Sequence, residues 1–302
     1  MDFTLNTKLS KYDNNIIAVN INTYDGFPHF VHVMEYFYYA IDKMLQYPDH
    51  LIILFEPRQF YKSYYVENFI NSMHQLVDNF IYVNKNFNIS KYKVNHGYVY
   101  KHNKDIINDD FIYFKCNILH MHEYLNWFYY KNSRKMRDLF FPEFPEIKNK
   151  IGIINRKDSR RILNIDEIVN KIQTNYNIKP DIAFFEKENF YNQLKFFRSH
   201  NIIIAPHGAA LANIPFLPNN ALIIEYCHDE WHPYYYFPGL SYSCGNYHAL
   251  VCNNPAVFPS WYSSDYDGKQ KKLNIIADID KIINIIDNYY NNNFKNKTCY
   301  LF

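Results

Sequence analysis

A chain of 302 residues, 48% hydrophobic and 21% charged, can bury two ordinary cores or one large one, which excludes disorder along its length. A net charge of +2 gives no electrostatic ground for a nucleic-acid or anionic-membrane partner. The 30 Tyr and 25 Phe beside abundant Asn, Ile and Lys, with only 7 Gly, point to an AT-rich microbial or viral genome.

The opening MDFTLNTKLSKYDNN is polar and lacks the apolar stretch of a signal peptide. No run reaches the length of a membrane span, so the sequence as it stands points to a cytoplasmic protein, or a lumenal one if an anchor has been removed. Residues 15–20 read as a strand, 30–47 as an aromatic helix ended by Pro48, and 51–55 as a buried strand. A helical period runs from about 61 to 79, followed by strands at 80–83, 92–100 and 111–114, which suggests a meander or an insertion. Residues 123–140 read as a helix, and FPEFPE, with Pro142 and Pro145, reads as a linker.

The second half is more regular. Strands are expected at 151–154, 182–185, 202–205 and 221–226, with helices at 164–176, 190–199 and 209–217 between them. Such alternation argues for βαβ units and a parallel sheet, hence an α/β fold. Residues 234–267 read as an irregular Pro-, Ser- and Tyr-rich region. A strand at 273–276 and a helix at 280–290 close the pattern, with a frayed tail at 291–297. The five cysteines (Cys116, Cys227, Cys244, Cys252, Cys299) show no CxxC spacing, which favours free thiols over a Cys244–Cys252 bridge.

Chemistry concentrates in NIIIAPHGAALANIPFLPNNALIIE, residues 201–225. Gly208 lets backbone approach a phosphate, while Ala209 and Ala210 supply N–H groups at a helix start. His207 either donates to a diphosphate oxygen or holds the loop; the plain alternative is a strand-to-helix turn with a buried histidine. Upstream, INRKDSRRILN delivers Arg156 at a strand end, then Ser159, Arg160 and Arg161, before Asn164 at a helix cap. Two guanidiniums at that edge can grip a diphosphate; the alternative is a solvated basic turn. Glu225 ends its strand as a ribose acceptor or as a structural ion pair.

In GFPHFVHVMEYF, His29, His32 and Glu35 share one helical face, the spacing of a general base or of a metal site. Two Asp-x-Asp triplets, Asp265-Tyr266-Asp267 and Asp278-Ile279-Asp280, are read as non-metal, with Asp280 capping the terminal helix.

Taken together, RKDSRRILN, APHGAALANIPFLP and ALIIE resemble the signature of glycosyltransferase family 61, the DUF563 type. Arg156, Ser159, Arg160 and Asn164 match its first block, and His207, Gly208, Ala209, Leu211 and Asn213 its second. The resemblance extends to FPHFVHVMEYF and NIIADIDKIINIID. Ala210 and Ala212 depart from the family's usual Gly and Thr, and Val33 and Met34 from acidic residues that some members carry, leaving Glu35 or His32 to serve as base.

The resemblance implies a GT-B architecture of two Rossmann-like domains facing a cleft. Residues 1–145 would form the acceptor side and 146–302 the nucleotide-sugar side, the terminal helix packing back on the first. It implies an inverting transfer from a UDP-sugar, GlcNAc or a pentose such as xylose, to a hydroxyl of a glycan or glycoprotein. Glu35, His32 or His29 would act as base. Arg156, Ser159, Arg160, Asn164, His207, Gly208, Ala209, Ala210, Asn213 and Glu225 would hold the donor. No metal or other cofactor is expected. The alternative is an inactive nucleotide-sugar- or glycan-binding protein of the same fold.

Overall fold

The computed structural model describes residues 2–12, 15–22, 40, 43–55, 64–83, 91, 93–101, 133–142, 149–227, 236–251, 274–294 and 299–301. These fall into two compact units, the first ending at Pro142 and the second beginning, among the described residues, at Asn149.

In the first unit, α1 (Asp2–Lys11) precedes β1 (Ile16–Asn22), β2 (Leu51–Phe55), α2 (Tyr64–Leu76), β3 (Phe80–Val83), β4 (His96–Lys101) and α3 (Ser133–Phe140). The four strands are all parallel in the order β3-β2-β1-β4. Of the meander or insertion suggested here, a meander is absent among the described strands: β4 runs parallel beside β1. The α1 helix was not expected from its polar sequence. It buries Leu5 and Leu9, one turn apart, against Ile16, Leu51, Ile53, Ile81 and Val83. Lys8, on the same face, donates to the carbonyls of His74, Val77 and Phe80 at 3.1, 2.7 and 2.8 Å. It thereby satisfies carbonyls along the turn that leads from the end of α2 into β3. The strand expected at 111–114 lies outside the described residues, as does most of the 30–47 helix.

The second unit runs β5 (Ile151–Asn155), α4 (Ile165–Tyr176), β6 (Asp181–Phe184), α5 (Phe190–Arg198), β7 (Ile202–Pro206), a 3₁₀ turn (Ala209–Phe216) and β8 (Leu222–Tyr226). It continues with α6 (Tyr236–Ser243), β9 (Tyr247–Val251), α7 (Ile279–Tyr290) and β10 (Cys299–Leu301). Six parallel strands lie in the order β10-β9-β8-β7-β5-β6. Every residue of β5, β7 and β8 is buried, as central strands covered on both faces require. On one face Ile151, Ile153, Ile202, Ile204, Leu222 and Ile224 pack against Ile168 and Ile172 of α4 and Ile282, Ile285 and Ile286 of α7. The intervening residues point to the other face, where α5, the 3₁₀ turn and α6 pack together.

Several expectations are corrected. Within 234–267, read as irregular, stand α6 and β9; short elements rich in Tyr and Ser are held by docking on the sheet, not by local propensity. The strand at 273–276 reduces to one bridge, Ile275 to Ile162. The helix at 209–217 is a 3₁₀ turn carrying Pro215. Residues 291–294 are no frayed tail: Phe294 is buried and stacks on Tyr247. The α7 helix caps this unit's own sheet, and Asp278 rather than Asp280 caps it, accepting from Lys281 N at 3.1 Å. Cys227 and Cys244 are buried and stand in no disulfide.

Candidate functional site: a basic loop over the sheet switch point

The strand order reverses between β5 and β7, because the chain goes outward from β5 to β6 and returns to the other side at β7. Open α/β sheets leave a crevice at the carboxyl ends of two such strands. Both signature loops begin there: Arg156 directly follows β5, and His207 directly follows β7.

Asn155 builds the first loop. Its buried Oδ1 accepts from Arg156 N at 2.8 Å and Ile162 N at 2.9 Å, while Nδ2 donates to Ile162 O at 3.0 Å. The turn thus closes on itself, helped by Arg160 in the left-handed region at φ 60°. The far side is anchored to a distant segment. Leu163 N bonds Ile275 O and Ile275 N bonds Arg161 O, each at 2.9 Å. Asn164 clamps Ala277, donating to its carbonyl at 2.9 Å and accepting from its N–H at 2.8 Å. Asn164 occupies the N-cap position of α4 yet makes no side-chain cap, because Ala277 has taken both of its polar ends.

The arginines turn toward the second loop. A Cβ placed on Gly208 would lie 2.7 Å from Arg156 Nη1, so the guanidinium rests directly against the glycine backbone. Glycine is needed here for that approach; its backbone, φ 167° and ψ 175°, is extended and open to any residue. The buried Nε of Arg156 meets no hydrogen-bond acceptor among the described residues. Arg160 is held to about 10, below the ordinary guanidinium range, by burial first and then by the Arg156 charge, with Cys227 opposing. Two guanidiniums so close call for an anion between them. Ala209 is exposed and Ala210 half-exposed at the start of the 3₁₀ turn, whose first N–H groups have no partner within it. Ser159 sits half-buried in the arginine loop.

His207 is fixed from below. Its N–H donates to Tyr226 O at 2.7 Å, and its Nδ1 is bonded to Glu225 Oε1. The other oxygen, Oε2, lies 2.8 Å from His248 Nε2. Residues 223 and 248 are register partners, so Glu225 and His248 are diagonal neighbours on one face of the sheet. Burial pushes the Glu225 carboxyl up, but the two imidazoles outweigh it and hold it below the ordinary value. Burial lowers His207, against the pull of Glu225 and with help from Arg160 and His248. The resting site therefore pairs an ionised Glu225 with a neutral His207.

The sequence-derived donor set thus divides. Arg156, Arg160, His207 and Gly208 come together, with Ala209 and Ala210 at the turn. Glu225, wholly buried with both oxygens engaged, is a support for His207 and has no edge for a ribose. Asn213 is buried against Gln193 of α5 at 3.4 Å, and Asn164 is the clamp just described. His29, His32 and Glu35 lie outside the described residues, in the stretch that follows β1; β1 and β4 flank the switch point of the first sheet. Asn155, His248 and Ser241 escaped sequence reasoning. Only Asn155 carried a signal, as a polar residue ending an apolar strand just before the arginines.

Donor atoms of His207, Glu225 and Cys227 lie within 4.8 Å of one another. A metal ion there would have to displace the imidazoles already bonded to Glu225, close to two guanidiniums. The set reads instead as a hydrogen-bonded support. Open hollows of 690 Å³ along β6 and α5, and of 680 Å³ between α4 and the start of α7, are lined by neither Arg156 nor His207.

The Glycosyltransferase 61 family model matches residues 23–224, two-thirds of the chain and both signature loops. The chain belongs to glycosyltransferase family 61. It is 35% identical over 82 residues to the EGF domain-specific O-linked N-acetylglucosamine transferase of Drosophila melanogaster, across 27% of this chain and 16% of that protein. To the alpha-1,3-arabinosyltransferase XAT3 of Oryza sativa subsp. japonica it is 31% identical over 91 residues, 28% of this chain and 14% of the relative. Each match thus spans about one-sixth of the relative's length or less. Among solved structures, it is similar to the iron-containing dodecameric glycosyltransferase TibC of enterotoxigenic E. coli H10407. That likeness has TM-score 0.43 and 9% identity, over 91% of this chain and 78% of TibC. No helix among the described residues is long and apolar enough to cross a membrane.

Proposed function

We propose that this family 61 chain is an inverting, metal-independent glycosyltransferase that moves a sugar from a UDP-sugar to a hydroxyl of a glycan or protein. The observation that carries the reading is the Arg156 guanidinium laid against Gly208 at the switch point, with Arg160 and His207 beside it. Sugar transfer with inversion is one displacement: the acceptor oxygen attacks the anomeric carbon as the bond to UDP breaks. The protein must neutralise the charge growing on the diphosphate, and fixed cations with amide N–H groups do so without reorganising. Arg156, Arg160, the His207 ring and the N–H groups at Ala209 and Ala210 fill that role, which removes the need for a divalent ion. The acceptor proton goes to a base among Glu35, His32 and His29. In this reading residues 1–145 serve the acceptor and 146–302 the donor, the two units forming a GT-B pair. The names of the relatives favour GlcNAc or a pentose as the sugar.

The test is UDP release from UDP-GlcNAc and UDP-xylose with candidate acceptors, in EDTA, for the wild type and Arg156→Ala. Turnover in EDTA that the variant lacks is expected. Activity that survives Arg156→Ala, or that EDTA abolishes, would overturn the reading. Donor binding without turnover across acceptors would favour an inactive nucleotide-sugar-binding protein.

A further inference from the structure

Beneath the donor loop four side chains form one hydrogen-bonded line, and donor binding explains only its outer end. Ser241 Oγ lies 2.8 Å from His248 Nδ1, His248 Nε2 lies 2.8 Å from Glu225 Oε2, and Glu225 Oε1 bonds His207 Nδ1. Ser241 and Glu225 are 0% exposed and His248 1%, so neighbours alone fix each proton. The carboxylate requires an N–H from each imidazole. His248 therefore donates from Nε2, which leaves its Nδ1 to the Ser241 hydroxyl. His207 likewise keeps its proton on Nδ1. Any bond from its ring to a ligand, and any second proton, must then involve Nε2.

We propose that Ser241 and His248 are positioning residues for donor binding: acting through Glu225, they orient His207 so that Nε2 takes up one proton as an anionic diphosphate enters. The inference rests on the donor-site reading and deepens it, since the loop gains a positive charge only when loaded. The charged and titratable groups around His207 among the described residues are Arg156 and Arg160 from the loop after β5, Glu225 and Cys227 at the end of β8, and His248 on β9. From α6 comes the apolar Phe237 ring, 5.1 Å away. Burial first, and then the Arg160 charge, keep the ring neutral when the site is empty. A bound diphosphate offsets the arginine charges and reverses that balance.

The experiment is calorimetry of UDP-GlcNAc binding to the full chain, in buffers of equal pH and different ionisation heats. This probe's phosphates do not titrate near neutrality. Uptake approaching one proton is expected, with Kd rising by up to about tenfold per pH unit above neutrality. His248→Leu should weaken binding on the order of tenfold and flatten the pH profile, and Ser241→Ala should do so in part. His248→Gln, whose amide can still donate to Glu225, should restore both. Heats independent of buffer, an unchanged profile in Ser241→Ala, or failure of His248→Gln to rescue would each overturn the inference. Should His248→Leu not fold, Ser241→Ala and His248→Gln still decide it. Absence of binding at every pH would instead sink the donor-site reading itself.

Discussion

Replacing Gly208 with alanine tests whether the arginine loop and the glycine loop work as one device. The added Cβ would stand 2.7 Å from Arg156 Nη1. Ordinary contact begins at about 3.4 Å, so the guanidinium must retreat by roughly 0.7 Å. The backbone at 208 is extended and tolerates a side chain, and the obstructing atom is the tip of a flexible residue. Stability should therefore change by less than about 0.5 kcal/mol. Binding should suffer more. A charge-assisted contact is worth about 1.5–3 kcal/mol, so loss of the Arg156 grip should raise the Kd for UDP about 10- to 100-fold. Thermal melting and titration with UDP, run on the same preparation, separate the two effects. Equal UDP affinity in Gly208→Ala and the wild type would refute the claim that Arg156 and Gly208 cooperate in one phosphate cradle.

Three further outcomes are expected. Asn155→Ala removes three hydrogen bonds from a buried turn and should cost about 2–4 kcal/mol in urea unfolding, while loosening the arginine loop enough to weaken UDP binding. Gly152→Ala would push a methyl against Phe196 at 2.7 Å and His200 at 3.0 Å, an overpacking that should cost about 1–3 kcal/mol and leave UDP affinity of the folded fraction intact. In the first unit, His74 is lowered to about 4 by burial first and then by Lys8, and its Nε2 accepts from Tyr82 N at 2.8 Å. A histidine so depressed stabilises fully above its unfolded value, about 6.5, and loses that contribution as pH falls toward 4. Urea unfolding should show about 3 kcal/mol less stability near pH 4 than near pH 7 from this group, and His74→Gln should remove most of the slope.

How much of this was legible in the sequence depends on where each residue's partners lie. The runs Ile151–Asn155, Ile202–Pro206 and Leu222–Tyr226 read as central parallel strands because burial on both faces leaves them continuously apolar. The residues directly after two of them, Arg156 and His207, could then be placed at one sheet edge from spacing alone. Glu225 was legible as a strand end but not as a buried support, because its partner His248 sits on β9, within residues whose composition suggested a loop. Asn164 looks like a cap to any local rule, and only a partner more than a hundred residues later diverts it. The α1 helix was missed for a similar reason: its two buried leucines are too few for a periodic signal, and Lys8 gains its meaning from α2.

The ladder that joins residues 161–164 to 274–277 also bears on the order of assembly. During synthesis the arginine loop is made more than a hundred residues before the strip that braces it, and closing so long a span costs entropy before its contacts can form. A nascent or proteolytically shortened chain lacking that strip would hold both arginines on an unbraced turn. The arginine loop therefore takes its final shape only after residues 274–277 have been made.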